Sequence, residues 1–189
     1  LQPTANPATQ AVLAGKHLVI TAGPTLEDLD PVRYLGNRSS GRMGYAIAAQ
    51  AHHLGMTVSL ISGPVTLKAP LGIQRISVRS AEQMHAAVMD EVGKADIFIA
   101  TAAVADFRPR ERSSNKIKKS GDGGITLDLV QNPDILADVA ARPDRPFVVG
   151  FAAETTNIEH YARGKLERKR LDMIAANHVG LEGCGFDAD

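Results

Sequence analysis

The chain has 189 residues, 44% of them hydrophobic, which suits one domain with a substantial core and is too short for two full α/β domains. Lysine plus arginine equals aspartate plus glutamate at 21 each. No global basic field therefore points to nucleic acid or an anionic membrane, and any anion site has to be local. The single cysteine, Cys184, excludes an internal disulfide, and no CxxC or HxxxH pair suggests a structural metal. No apolar run approaches the ~20 residues of a membrane span, and no signal pattern opens the chain. The expected location is the cytoplasm.

Residues 1–14 mix Pro, Thr, Ala, Gln and Asn without periodicity and read as a linker or N-terminal arm, with a domain over 15–189. Residues 17–22 (HLVITA) form a short apolar run ended by Gly23 and Pro24, the pattern of a buried strand. After a long loop, residues 41–54 read as a helix, with Met43, Ile47, Ala51 and Leu54 at spacings of three and four and Gly55 as its stop. Strands follow at 57–62 and 73–78. Ser80 with Gln83 is a capping box that opens a helix to Val92. Residues 97–102 form the next strand, and 125–130 alternate as a half-exposed one. Asn132, Pro133 and Asp134 supply an N-cap, a first-turn proline and a helix-start acid for a helix to Ala141. A strand at 147–152, a helix at 157–170 and a strand at 173–176 complete the pattern.

Strands alternating with helices predict a Rossmann-like, doubly wound, mostly parallel sheet with helices on both faces. Ligands of such folds sit beyond the carboxyl ends of the strands, which selects the loops after Ala22, Ser62, Ala102 and Ala152. The first of these does not match GxGxxG, and the second strand ends in Ser62 and Gly63 rather than a ribose-binding acid. A nicotinamide oxidoreductase is the main rival reading, and those two absences disfavour it.

Residues 37–44 (NRSSGRMG) carry more information. Ser39, Ser40 and Gly41 open a helix, so unpaired N–H groups and two hydroxyls can converge on an anion beside Arg33 and Arg38, and Gly41 and Gly44 allow close backbone approach. A serine-capped helix accounts for Ser40 equally well. Ala102, Ala103 and Asp106 end the fourth strand with small residues and an acceptor for a ribose or base, although a turn aspartate is as common. Residues 115–119 (NKIKK) form a polar segment able to close over phosphates, or a solvated surface run. Lys165 and Lys169 share one helix face near Arg163, Arg168 and Arg170, as a phosphate patch or a solvated helix. An anion-binding helix start, a ribose-capable acid and mobile lysines suit nucleotide-driven acyl activation or phosphoryl transfer.

The string ITAGPTLEDLDPVRYLGNRSSGRMGYAIA resembles the opening of the phosphopantothenate–cysteine ligase domain of bacterial coenzyme A synthesis. AAVADFRP, NKIKK, QNPDIL and VVGFAAET follow in the order of that family, so the resemblance runs from Gly15 to Asp189. It implies a two-step ligase. The carboxylate of 4′-phosphopantothenate attacks the α-phosphate of CTP, releasing pyrophosphate, and the amine of L-cysteine then displaces CMP from the acyl-cytidylate.

The resemblance also implies Mg2+ with the triphosphate, a homodimer, and fusion behind a decarboxylase whose FMN belongs to that other half. It places Asn37 at the acyl-nucleotide intermediate and Lys116 on the flap that forms it. Ala102, Ala103, Asp106, Lys116, Pro133, Asp134, Ile135, Leu136, Phe151, Lys165 and Lys169 match the nucleotide set. Arg33, Asn37, Ser39, Ser40 and Gly41 stand as the substrate- or phosphate-binding loop, and no residue is assigned to a metal. Similar family members continue beyond the segment Gly185 to Asp189, and Asp187 stands where asparagine is common. A non-catalytic nucleotide-sensing module is the remaining rival, disfavoured because simple binding needs neither Asn37 nor Lys116.

Overall fold

The computed structural model describes residues 7–119, 123–154 and 156–178. The Gly185–Asp189 stretch discussed above lies outside these residues. Six parallel strands form the sheet: β1 (His17–Ala22), β4 (Thr57–Ser62), β5 (Gln74–Ser77), β6 (Ile97–Ala100), β9 (Phe147–Glu154) and β10 (Met173–His178). Their order is β10-β9-β6-β1-β4-β5. The chain steps outward from β1 to β5, returns to the other side of β1 as β6, and steps outward again. The direction of winding therefore reverses between β1 and β6, which is the switch point of a doubly wound sheet.

Strand periodicity sorts the core into two layers. Leu18 and Ile20 of β1 pack with Leu60 against Tyr45, Ala48 and Ala51 of α2 (Arg42–His53). Val19 points the other way, with Ile61, Phe98 and Val148, against Met84, Val88 and Val92 of α3 (Ala81–Val92) and Val139 of α4 (Ile135–Ala140). Helix α5 (Ile158–Arg168) runs beside β9 and β10, with Leu166 against this second layer.

Several boundaries differ from the sequence reading for identifiable reasons. The arm contains a short helix, α1 (Pro7–Leu13), started by a proline in the position where its missing N–H costs nothing, and Leu13 packs on the first core layer. The long loop after β1 folds into an antiparallel pair, β2 (Leu26–Asp28) with β3 (Tyr34–Gly36). The strand expected at 125–130 is only β8 (Leu129–Gln131), paired with β7 (Phe107–Pro109) and followed by one further backbone bond, from Arg110 N–H to Asp128 O at 2.9 Å. Helix α4 is capped by Asp134, whose side chain accepts from the Ala137 amide at 3.1 Å, and not by Asn132. Asn132 is committed elsewhere, donating through Nδ2 to the Ala105 carbonyl at 2.8 Å. The capping box at Ser80 and Gln83 forms as expected.

Gly44 sets how closely α2 approaches the sheet. A Cβ there would lie 2.6 Å from Ala22 Cβ and 2.5 Å from Thr101 Oγ1. Gly44→Ala is expected to lower stability by about 1–3 kcal/mol through overpacking, read as a fall in the urea midpoint. Gly124→Ala, where a Cβ meets nothing within 4 Å, should leave the midpoint near that of the wild type.

Candidate active site

The loops leaving β1 and β6 are laced together at the switch point. Thr101 N–H donates to Thr21 O at 3.2 Å, Ala103 N–H to Gly23 O at 2.9 Å, and Thr25 N–H to Ala103 O at 3.3 Å. Thr25 is fully buried, and its Oγ1 accepts from Ala105 N–H at 2.9 Å. Ala103 thus spends both backbone groups on this seam. Ala102 lies partly buried against the second core layer. The small residues read as pocket lining lie on this seam, where the two loops bond backbone to backbone.

Asn37 spans the same seam, with Nδ2 donating to Val104 O at 3.0 Å. The donor assigned to the intermediate therefore already has one protein partner, and its second N–H and its amide oxygen remain. Gly41 is the N-cap of α2, in a left-handed conformation (φ 77°), and no side chain caps the helix. Ser40 is therefore not the cap. Ser39 Oγ accepts from Gly41 N–H at 3.3 Å. No side-chain cap is made to the first-turn N–H groups, the donors that helix starts in general offer to anions. Gly41 and Gly44 do not clear space for that anion as expected. A Cβ on Gly41 would meet Val65 Cγ1 at 3.1 Å and Gly23 N at 3.3 Å, and Gly44 is filled by Ala22 and Thr101.

Asp106 carries the clearest unspent charge on this rim. Its carbonyl accepts from Asn132 N–H at 2.9 Å, while its carboxylate is exposed and has no partner among the described residues. Asn132 also holds Ala105, so the loop after β6 and the loop before α4 move as one piece.

A second cluster closes the side between α4, β9 and α5. Lys169 Nζ pairs with Asp134 at 2.7 Å, and Lys165 Nζ donates to Phe151 O at 2.6 Å. Arg163 pairs with Glu159 on its own helix and is not drawn into this cluster. Ile135 and Leu136 are buried core side chains, 6% and 7% exposed, so only their backbone is free to serve a ligand. Pro133 leads into the cap.

The segment 115–119 leaves Lys116 exposed and unpaired among the described residues, while Ile117 is half-buried and held at both backbone groups. Its N–H donates to Asp30 Oδ2 at 3.1 Å, and its carbonyl accepts from Arg33 Nη1 at 3.2 Å. Arg33, assigned above to phosphate, is thus engaged with Asp30 (3.0 Å) and Ile117. Asp30 is 1% exposed, and sequence reasoning missed it. Its Oδ1 also accepts from Val32 N–H at 2.7 Å and Arg33 N–H at 2.8 Å. Such an Asx turn is legible from Asp30-Pro31 in hindsight. Burial opposes the Asp30 charge, but the backbone donors Val32, Ile117 and Arg33 and the guanidinium outweigh it, and the carboxyl titrates below its ordinary value. Two hollows among the described residues lie at the start of α5 and beneath the β7–β8 hairpin beside Leu29 and Ile117. The switch-point crevice is an open rim of loop backbone.

Fold and rim together define a Rossmann-like, doubly wound domain whose loops meet at the switch between β1 and β6. Residues 13–189 match the family described as the DNA/pantothenate metabolism flavoprotein C-terminal domain, and the chain belongs to that family. It is 55% identical over 180 residues to the coenzyme A biosynthesis bifunctional protein CoaBC of Vibrio parahaemolyticus, covering 94% of this chain and 45% of that protein. To the Bacillus subtilis protein of the same name it is 53% identical over 182 residues, covering 96% of this chain and 45% of the relative. The chain thus spans under half the length of these curated relatives. The solved C-terminal domain of a CoaBC protein superposes with a TM-score of 0.78 at 44% identity, covering 87% of this chain and 78% of that one. A Streptococcus pneumoniae DNA/pantothenate metabolism flavoprotein shares the fold at 22% identity, with a TM-score of 0.77 over 87% of this chain and 83% of that one.

The Asp134 cluster yields a pH dependence. Burial raises the Asp134 pKa, but the Lys169 hydrogen bond, the Ala137 amide and the charges of Lys169 and Lys165 outweigh it, so the folded pKa is lowered. A lowered folded pKa gives stability that is present above the unfolded value of ~4 and lost as pH falls through the folded one. Asn caps as well as Asp, so Asp134→Asn removes mainly the ion pair, about 0.5–1 kcal/mol at this half-exposed site. Urea midpoints of wild type and variant should differ at pH 7 and converge as pH falls through the lowered folded pKa of Asp134.

Proposed function

We propose that the chain performs the phosphopantothenate–cysteine ligase reaction of coenzyme A biosynthesis, using CTP. The observation that carries this reading is family membership over residues 13–189 in a chain whose flap lysine, Lys116, and rim acid, Asp106, are exposed and without a side-chain partner among the described residues. The names of the relatives, each a bifunctional protein of coenzyme A biosynthesis, support it.

In the first step the carboxylate of 4′-phosphopantothenate attacks the α-phosphorus of CTP. A P–O bond forms, the bond to the β-phosphate breaks, and pyrophosphate leaves with the electron pair. Lys116 neutralises charge that grows on the phosphate oxygens, a contribution larger in the transition state than in the ground state. Asp106 accepts from ribose or base. Lys165, Lys169 and the backbone around Pro133, Asp134, Ile135 and Leu136 border the phosphates and the nucleotide, with Phe151, Ala102 and Ala103 along the wall.

In the second step the cysteine amine attacks the acyl carbon. Asn37, through the amide N–H not given to Val104, donates to the developing oxyanion, and CMP departs. The uncapped start of α2 with Ser39, Ser40 and Gly41 is an anion seat for the phosphate of the pantothenate substrate. Arg33 borders that seat through the turn it stabilises.

Among the described residues no three His, Cys, Asp or Glu side chains gather. Mg2+ would enter with the triphosphate and offset its charge, and no residue of the chain is assigned to it. The same reading gives a homodimer in the bacterial cytoplasm, joined in the longer protein to an FMN-dependent decarboxylase. No helix among the described residues is long and apolar enough to cross a membrane.

Two substitutions separate the half-reactions. Lys116→Gln should slow pyrophosphate release by ~10²-fold or more while converting chemically supplied acyl-cytidylate at near the wild-type rate. Asn37→Asp should release pyrophosphate, accumulate acyl-cytidylate, and slow amide formation by ~10²-fold or more, because a carboxylate repels the oxyanion. The measurement is a chemical quench with mass detection, with and without cysteine. Product formation by Asn37→Asp at the wild-type rate would falsify its role, and a wild-type chain that spends no CTP would remove the ligase reading altogether.

A further inference from the structure

Asp30 takes no part in the steps above, yet it is the most completely bonded buried charge near the site. A carboxylate is kept inside a fold only when its oxygens are satisfied. Oδ1 closes the local turn by accepting from Val32 and Arg33 N–H. That alone would make an ordinary turn. Oδ2 does something different, accepting from Ile117 N–H, 87 residues away in sequence, and from Arg33 Nη1. The same Nη1 reaches back to the Ile117 carbonyl. One turn therefore grips a distant residue at both its N–H and its C=O, as a strand would grip a neighbour.

Holding both groups fixes the peptide planes on either side of Ile117, and with them the directions in which Lys116 and Lys118 leave the chain. Ile117 is half-buried, whereas Lys116, Lys118 and Lys119 are exposed. The gripping turn belongs to the same excursion from β1 that carries Asn37 (residues 23–41). The clasp thus joins the loop bearing one proposed reactive residue to the segment bearing the other.

We infer that Asp30 is a positioning residue, which acts through Ile117 and Arg33 to fix where Lys116 presents its charge to the nucleotide. The inference rests on the ligase reading for its kinetic consequence, though not for the clasp itself. A displacement of ~1 Å in a charged group can cost ~10²-fold in rate, so a freed segment leaves Lys116 present and ineffective.

Asp30→Asn in the full chain is the first test. An amide cannot accept on both atoms, so its NH2 must face either the turn amides or the Ile117 and Arg33 donors, and the clasp opens. Tryptic cleavage after Lys116, Lys118 and Lys119 should quicken by about tenfold or more, following the population of the opened segment. Pyrophosphate release should slow by roughly tenfold to a hundredfold, with conversion of supplied acyl-cytidylate changed no more than a few-fold.

A structural defect and a positioning defect part company in the double variant. If Asp30 acts through Lys116, adding Asp30→Asn to Lys116→Gln should cost nothing further. Should Asp30→Asn not fold, Ile117→Pro removes the same N–H from the exposed end. It should reproduce the rate loss and the faster cleavage after Lys118 and Lys119, the bond before proline being resistant. Unchanged cleavage, equal losses in both half-reactions, or additive losses in the double variant would each overturn the inference. A wild-type chain that releases no pyrophosphate would sink the ligase reading instead, and the cleavage rates would still decide the clasp.

Discussion

The carboxyl ends of β1 and β6 separate in a doubly wound sheet, because the chain turns one way from β1 and the other way from β6. Left open, that gap would strand the backbone groups of both loops, and burying them unpaired costs about 1–3 kcal/mol each. Here the gap is laced by Ala103 bonding Gly23 and Thr25, and by the Thr25 hydroxyl taking the Ala105 amide. The remaining loops hang from this seam. Asn37 reaches across it to Val104, and Asn132 ties its far side to the start of α4. The face beyond the strand ends is therefore a laced rim of loop backbone, along which residues 102, 103 and 105 are alanines.

From that seam the chain makes two long excursions, residues 23–41 and 107–131, and each folds into a small antiparallel pair. Neither pair has a core of its own. They lean on one another and on the sheet through polar contacts. Asp28 bonds Arg79 and Arg112, the buried Glu27 accepts from Ala81 N–H at the start of α3, and Asp30 grips Ile117. Three acids within four residues thus hold the loops that the hydrophobic layers do not reach. Charge in this neutral chain serves placement more than field.

These contacts also mark the limit of what the sequence discloses. Each strand of the sheet is legible because a buried parallel strand is a short apolar run between turn residues, and β1 and β4 match to the residue. The α3 cap is legible because both partners of a capping box lie within four residues. Strands β2, β3 and β7 are three residues each, too short to show a period, and exist because distant segments pair with them. The α4 cap shifts from Asn132 to Asp134 for the same reason: a tertiary bond to Ala105 outcompetes the local one. Asp30 shows half of itself. Its turn is written in Asp30-Pro31, while its hold on Ile117 crosses 87 residues and has no local trace.

The site residues named from sequence divide physically into two groups. Arg33, Asn37, Lys165 and Lys169 already hold protein partners at 2.6–3.2 Å, whereas Asp106 and Lys116 hold none among the described residues. A ligand meets the second group without displacing anything, so these two contribute their full interaction on contact. To engage Lys169 a phosphate has to compete with Asp134, gaining a doubly charged acceptor and leaving a carboxylate that still caps α4 through Ala137. On the proposed reading that exchange trades one ion pair for another, where a contact with Lys116 is a net addition. On the proposed ligase reading, the paired lysines meet the nucleotide by exchange, while Lys116, unpaired among the described residues, meets it directly, a division set by which side chains the fold has already satisfied.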